Sequence, residues 1–566
     1  MKILVRLFFT IYFAVFFSAI LLFFLVPVFE AENISYSVAF INIALTEKFP
    51  VSWHYIKYIY CGTCLLSFWI LTNSLYSALC LAFSTFKTNH SKSPVVSYEK
   101  KSDLDVNIGR NSQNKLVSIP ISGLYQNVLV TGSIGSGKTS SLLYPLTSQL
   151  LELSFSGQYE TSFLVLDVKG NYHNFVEKIC KKNFRISDLF VLSLSGHITY
   201  NPLDKPNLKP HILANRLTSI LLLFSPEQSE AFWLDKAEQV LTEAIRMCRL
   251  YNDGYVTFTE IHQLVMSKSY FDEKLELIKS WFYDGHLASS QVNELSSCIS
   301  FFNDEFFALD DRTKSILRSE ISRITNIFVS DSDVSRVFCP ARNDISFPGF
   351  EYVLKNHKIV VLNMNLAEYS TLSKIIAAYL KIDFQAEILM QLSKSDIAYP
   401  SCFICDEYHE YVTKNDASFF AQSREAKSIN IVATQSYSSL LSAVRDETNT
   451  KVLIQNFINK FWFRTDDSFT IEEILKQTGK EEKEVKSKTI SENARQTNYS
   501  FLFNNFFSKD SNISESINTS YHKDYIYDSN FFSRELETFS CLAFVSTGKE
   551  ILPLEKLWLK PYFERM

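Results

Sequence analysis

The sequence predicts an α/β fold: a nucleotide-binding domain on a mainly parallel sheet, an all-α domain inserted into it, and two transmembrane helices ahead of it. Three observations carry this expectation. Two long N-terminal segments lack charge, short apolar runs alternate with helical periodicity from about residue 106, and a glycine-rich turn joins one such run to an amphipathic stretch.

The chain has 566 residues, more than one ordinary domain uses. Hydrophobic residues at 46% and charged residues at 21% exclude a globally disordered chain. Only 14 residues are glycine, so their clustering between 132 and 137 is informative. The net charge of −5 gives no global signal for nucleic acid, and such contact would need a local basic surface. The 10 cysteines show no four-ligand zinc spacing. Cys61-x-x-Cys64 and Cys402-x-x-Cys405 lie in apolar runs and read as small apolar filler with reduced thiols.

From the N-terminus onward, Leu7 to Phe29 and Tyr58 to Phe86 are free of charged residues, and each is long enough to cross a bilayer. Residues 1–86 are therefore expected to form a multi-pass membrane domain with a short external loop. Lys2 and Arg6 precede the first segment, and Lys87, Lys92, Lys100 and Lys101 follow the second. That asymmetry puts the N-terminus and the large C-terminal part in the cytoplasm. Asn73 is polar at membrane depth and suits a contact between helices. Residues 87–105 read as a linker.

Residues 106–205 and 346–566 read as the nucleotide-binding domain. Its strands are expected at Asn127–Thr131, Ser162–Val168, Leu189–Leu194, Lys358–Met364, Ser401–Cys405, Asn430–Thr434, Lys460–Arg464 and Cys541–Ser546. Between them, 206–345 reads as the inserted all-α domain. Within 229–251, Phe232, Ala237, Val240, Leu241, Ala244 and Met247 recur at helical spacing and predict one apolar face. Residues 476–530 are hydrophilic and read as a long surface excursion.

The turn reads Gly132-Ser133-Ile134-Gly135-Ser136-Gly137-Lys138-Thr139-Ser140, a P-loop between strand and helix. Its glycines free the backbone so that successive N–H groups face phosphate oxygens at a helix N-terminus. Lys138 is expected on the β and γ phosphates of ATP, and the Thr139 hydroxyl on Mg²⁺. A second motif, "SCFICDEYHEY" over 401–411, ends an apolar strand in Asp406-Glu407. Asp406 is the candidate for the Mg²⁺ shell and Glu407 for general base toward water. Glu following Asp points to a hydrolase of the RecA-like type. A third stretch, 423–440, ends a strand in Gln435, a candidate γ-phosphate sensor. Arg424 on the preceding helix is a candidate for reaching a neighbouring subunit's nucleotide. The basic run Lys178, Lys181, Lys182, Arg185 reads as a solvated face rather than a nucleic-acid contact.

Together these motifs resemble the coupling proteins of type IV secretion and conjugation. The P-loop, "FLVLDVKGNYHNF" (163–175), "YNPLD" (200–204), "FICDEYHEY", "SREAKSINIVATQS" and "FWFRTDD" (461–467) carry the resemblance. One departure is Val168, where the family has proline between Asp167 and Lys169. The resemblance implies a RecA-like ATPase at the bacterial inner membrane, using ATP and Mg²⁺ and assembling as a ring, expected to be a hexamer. Its implied partners are type IV secretion channel components and either a relaxase–DNA complex or protein effectors. It also favours Arg424 and Gln435 as catalytic helpers. A chromosome-segregation-type DNA translocase and a non-hydrolysing nucleotide-dependent membrane receptor or scaffold are the alternatives.

Overall fold

Strands set the architecture of the computed structural model, which describes residues 104–224, 231–284, 289–394, 398–413, 415–492 and 513–564. They are β1 (Asp105–Arg110), β2 (Leu116–Pro120), β3 (Val128–Thr131), β4 (Ser162–Leu166), β5 (Leu189–Leu192), β6 (Ile359–Leu362), β7 (Ser401–Cys405), β8 (Ser428–Thr434), β9 (Asn459–Trp462), β10 (Lys480–Glu492), β11 (Ile513–Tyr525), β12 (Ser540–Phe544) and β13 (Glu555–Trp558). All but β10 and β11 form one 11-stranded sheet in the order β2-β1-β13-β12-β9-β3-β8-β7-β4-β6-β5. From β9 through to β5 every neighbouring pair is parallel. From β9 to β2 the pairs are antiparallel.

The parallel strands are continuous apolar runs because both faces of the sheet are covered. Successive residues divide between two buried clusters. Val128 and Val130 join one while Leu129 joins the other, and Cys402 and Ile404 are separated from Phe403 and Cys405 in the same way. One face packs on helices Tyr144–Phe155 and Tyr172–Lys182, through Leu146, Leu150, Val176 and Ile179. The other packs on helix Leu366–Lys394, and its cluster runs on without a break into the helices between Pro210 and Lys355. The described residues all fall within one compact unit.

Each of the eight expected strands is present, with ends at most two residues from those expected. The antiparallel strands β1, β2 and β13 escaped the sequence reading, and the excursion at 476–530 contains the ribbon β10–β11. Helix Ala231–Tyr251 buries Ala237, Val240, Leu241, Ala244 and Met247 as expected, but Phe232 is 55% exposed and lies off that face.

The α/β class with a parallel-rich sheet holds, whereas the transmembrane helices are unsupported. No helix among the described residues is long and apolar enough to cross a membrane, which overturns the multi-pass inner-membrane localisation. The longest, Leu366–Lys394, carries Lys374, Lys381 and Asp383 along its length. Segments 7–29 and 58–86, with Cys61, Cys64 and Asn73, lie outside the described residues.

One asparagine anchors the sheet below the P-loop. Asn127 enters β3 in the left-handed region at φ 59°. Its Nδ2 donates to the carbonyl oxygens of Phe420 (3.0 Å) and Asn456 (2.9 Å). Its Oδ1 accepts from Asn430 Nδ2 (2.7 Å) and Ser423 Oγ (3.2 Å). Asn127→Ala leaves these buried groups unpaired and puts alanine in a conformation it disfavours. The expected cost is about 2–4 kcal/mol, read as a melting midpoint lowered by several degrees.

Candidate nucleotide site

The P-loop leaves β3 at the carboxyl edge of the sheet and opens a helix at Lys138. Gly137 has φ 100°, and a Cβ there would lie 2.5 Å from Phe539 Cδ1. Both its conformation and its crowding require glycine. Gly135 also has positive φ but faces open space, beside Ile134, which is 79% exposed. The loop is pinned from the strand side, where Ser133 N–H donates to the Arg464 carbonyl (2.8 Å) and Phe539 N–H to the Ser136 carbonyl (3.2 Å). Ser136 Oγ is buried and has no hydrogen-bond partner, and Ser140 Oγ donates to the Gly137 carbonyl (3.4 Å).

Lys138 folds its ammonium into the loop and donates to the carbonyls of Gly132 and Ser133. Burial pushes its pKa down, while the carboxylates of Glu407 and Asp406 pull it up. Thr139 Oγ1 donates to Asp406 Oδ2 at 2.7 Å. The hydroxyl and the carboxylate singled out for Mg²⁺ thus meet across 267 residues of chain.

Strand order explains how they meet. β8 lies between β3 and β7, with Thr131 opposite Thr434 and Cys405 opposite Val432. Asp406 and Glu407 leave β7 on the same edge as the loop, and Gln435 follows β8 between them, half-buried. Asp406 is buried, and that burial, with the nearby Glu407 and Asp167 carboxylates, raises its pKa to about 6 against the restraint of Thr139 and Lys138. Asp167 is held by backbone N–H groups of Lys169 (3.2 Å), Asn171 (3.1 Å) and Tyr172 (3.2 Å). Glu407 stands in the left-handed region at φ 51°, and its Oε2 is buried without a hydrogen-bond partner.

Arg424 departs from expectation. It lies in the exposed turn beyond helix Asp416–Gln422, not on the helix, at the amino end of β8. It does not join Lys138, Thr139, Asp406, Glu407 and Gln435, which gather at the carboxyl edge. Of the basic run, Lys181 pairs with Glu177 (2.6 Å) and Arg185 with Asp188.

Against known proteins, residues 91–280 match the family described as Type IV secretory system Conjugative DNA transfer. The resemblance to type IV secretion and conjugation coupling proteins is borne out. No curated protein matches. Among solved structures, the unbound bacterial conjugative coupling protein TrwBdeltaN70 shares the fold with a TM-score of 0.54 at 13% identity, over 82% of this chain and 89% of that one. Plasmid coupling protein TrwB in complex with the non-hydrolysable ATP analogue ADPNP gives 0.54 at 14% identity, over 82% and 90%. The TrwB complex with ADP and Mg²⁺ gives 0.52 at 13% identity, over 82% and 90%.

Two residues of this site carried no signal of their own in the sequence. His409 sits with Nδ1 3.2 Å from Thr434 Oγ1 and 3.7 Å from Glu407 Oε2. Lys381, wholly buried in helix Leu366–Lys394, donates to the Tyr411 carbonyl (2.6 Å), Thr413 Oγ1 (3.3 Å) and Asp416 Oδ2 (2.5 Å). Asp416 also accepts from Tyr408 OH and the Thr413 backbone, so the whole loop after Asp406-Glu407 is strapped to that helix.

The raised pKa of Asp406 predicts a pH dependence. The folded protein holds this proton up to about pH 6, whereas the unfolded chain releases it near 3.8. The stability it contributes is therefore full below that lower value and is lost as pH rises to about 6. Melting curves without nucleotide should show this decline, and Asp406→Asn should flatten it.

Proposed function

We propose that this chain is an ATP-hydrolysing coupling protein that recruits a relaxase–DNA complex or a protein effector and delivers it to a type IV secretion channel. It works as a ring of copies, six on the family's pattern, with ATP and Mg²⁺ at each site. The observation that carries the reading is the Thr139–Asp406 contact at 2.7 Å, which sets a P-loop hydroxyl against the strand-end carboxylate next to Glu407. The match over residues 91–280 to conjugative DNA transfer proteins supports the transport role. The neighbouring TrwB structures with ADPNP and with ADP and Mg²⁺ support the choice of nucleotide and metal.

The residues fit that ligand. The loop Gly132–Ser140 wraps the phosphates through backbone N–H groups other than those of Gly132 and Ser133, which bond the Thr434 and Arg464 carbonyls, and the unpartnered Ser136 Oγ is buried in the same loop. Lys138 exchanges its carbonyl contacts for phosphate oxygens. Thr139 and Asp406 hold Mg²⁺, which when bound neutralises charge on the β and γ phosphates. Glu407 takes the proton of the attacking water on its carboxylate. Gln435, between the two motifs, contacts the γ-phosphate. Arg424 lies at the other end of β8 and acts on the nucleotide of an adjoining copy.

Glu407→Gln is expected to bind ATP with near-normal affinity and to lose hydrolysis by about 100-fold or more, measured by phosphate release. Transport in cells should fall with it. Transport that persists without turnover would instead identify a non-hydrolysing receptor.

Mixing tests the arginine. Arg424→Ala and Lys138→Ala chains are each expected to be inactive alone. Mixed, they should regain part of the ATPase activity, because an intact Arg424 then faces an intact P-loop. No recovery would remove Arg424 from the chemistry of the nucleotide.

A further inference from the structure

His409 stands inside the second motif without an assigned role, and its side chain meets the end of β8, where the third motif begins its turn. It follows Glu407 in the short helical turn Tyr408–Glu410, and it is 14% exposed. Nδ1 faces Thr434 Oγ1 at 3.2 Å and Glu407 Oε2 at 3.7 Å. Nε2 faces Glu410 Oε1 at 3.6 Å, and Glu410 is itself paired with Lys374 of the long helix at 2.5 Å.

Thr434 Oγ1 lies within reach of both Nδ1 (3.2 Å) and the Ser436 carbonyl (3.3 Å). With its one proton on that carbonyl it accepts from the imidazole, and Nδ1 then carries a hydrogen. This is the tautomer that also gives Glu407 Oε2 a donor. Burial lowers the His409 pKa, which favours the neutral ring. That hydrogen points between Thr434 and Glu407, whose Oε2 has no other partner. The left-handed backbone of Glu407 costs energy and persists only where its surroundings hold it.

We propose that His409 is a positioning residue. Its Nδ1–H, held by Thr434, steadies Glu407 Oε2 and leaves the other carboxylate oxygen free for the attacking water. Thr434 is the last residue of β8, its carbonyl accepts from Gly132 N–H (3.4 Å), and Gln435 follows it. The orientation of the base is thereby tied to the strand end that carries the candidate phosphate sensor. This rests on the reading of Glu407 as general base.

The test compares two isosteres in the full chain. Asparagine puts an amide nitrogen where Nδ1 stands, and glutamine puts it where Nε2 stands. His409→Asn should keep kcat for ATP within about threefold of wild type. His409→Gln and His409→Ala should lower kcat by about 10- to 100-fold with KM and the affinity for a fluorescent ATP analogue within about twofold. Equal losses in the asparagine and glutamine variants, a KM that rises as kcat falls, or wild-type kcat in all three would overturn the proposal. Glu407→Gln separates the two levels. If it still hydrolyses ATP, the general-base reading fails. If it is inactive while His409→Gln is unimpaired, only the positioning role fails.

Discussion

Three carboxylates converge at the carboxyl edge of the central strands, and one ammonium stands among them. Asp167, Asp406 and Glu407 end or follow β4 and β7, and Lys138 enters from the P-loop. Asp167 accepts three local backbone N–H groups, whereas Asp406 accepts one, from Glu407 (3.1 Å), and the Thr139 hydroxyl (2.7 Å). Its pKa near 6 reports a buried charge that water no longer solvates and that its neighbours repel. A divalent cation carrying phosphates would remove that repulsion, so the empty site is less stable than the filled one. Strand order creates this tension, because a parallel sheet delivers its strand ends to one edge.

Holding such a site open requires a rigid surround. Helix Leu366–Lys394 supplies it through two buried charge networks only two residues apart in sequence. Lys381 clasps the loop after Glu407, and Asp383 accepts from Arg216 Nη1 (2.9 Å), Tyr200 OH (3.0 Å) and Lys205 Nζ (2.8 Å). Two residues on a helix point to nearly opposite sides. One network faces the nucleotide loop and the other faces helix Pro210–Phe224. Removing one partner from such a pair costs about 3–5 kcal/mol, so neither contact shifts readily by itself. The same helix thus holds both the loop after Glu407 and helix Pro210–Phe224.

The legibility of these features in the sequence follows from their range along the chain. The parallel strands were readable because burial on both faces makes them unbroken apolar runs. β2 was not, since most of its residues are only half-buried, and β13 reads as the polar "EKLW". The P-loop and Asp406-Glu407 are encoded in consecutive residues, so the chemistry of each motif was visible before its neighbours were known. His409–Thr434, Lys381–Asp416 and Arg216–Asp383 span 25, 35 and 167 residues, and no local pattern announces them. The overturned membrane localisation rested on uncharged apolar length in residues 1–86 and on the basic residues that flank the two segments.

Arg424 shows how strand length constrains a mechanism. It precedes β8 and Gln435 follows it, with Ser428 to Thr434 between them. At the rise of a parallel strand, that separates the two ends by about 20 Å. No arginine side chain spans such a distance, and the intervening strand is buried along its whole length. Within one chain the guanidinium and the P-loop therefore occupy opposite edges of the sheet. If Arg424 stabilises charge at a nucleotide, that nucleotide belongs to another copy, set so that its carboxyl edge faces this amino edge. Repeated from copy to copy, such a head-to-tail contact closes into a ring when the rotation permits and otherwise extends as a filament.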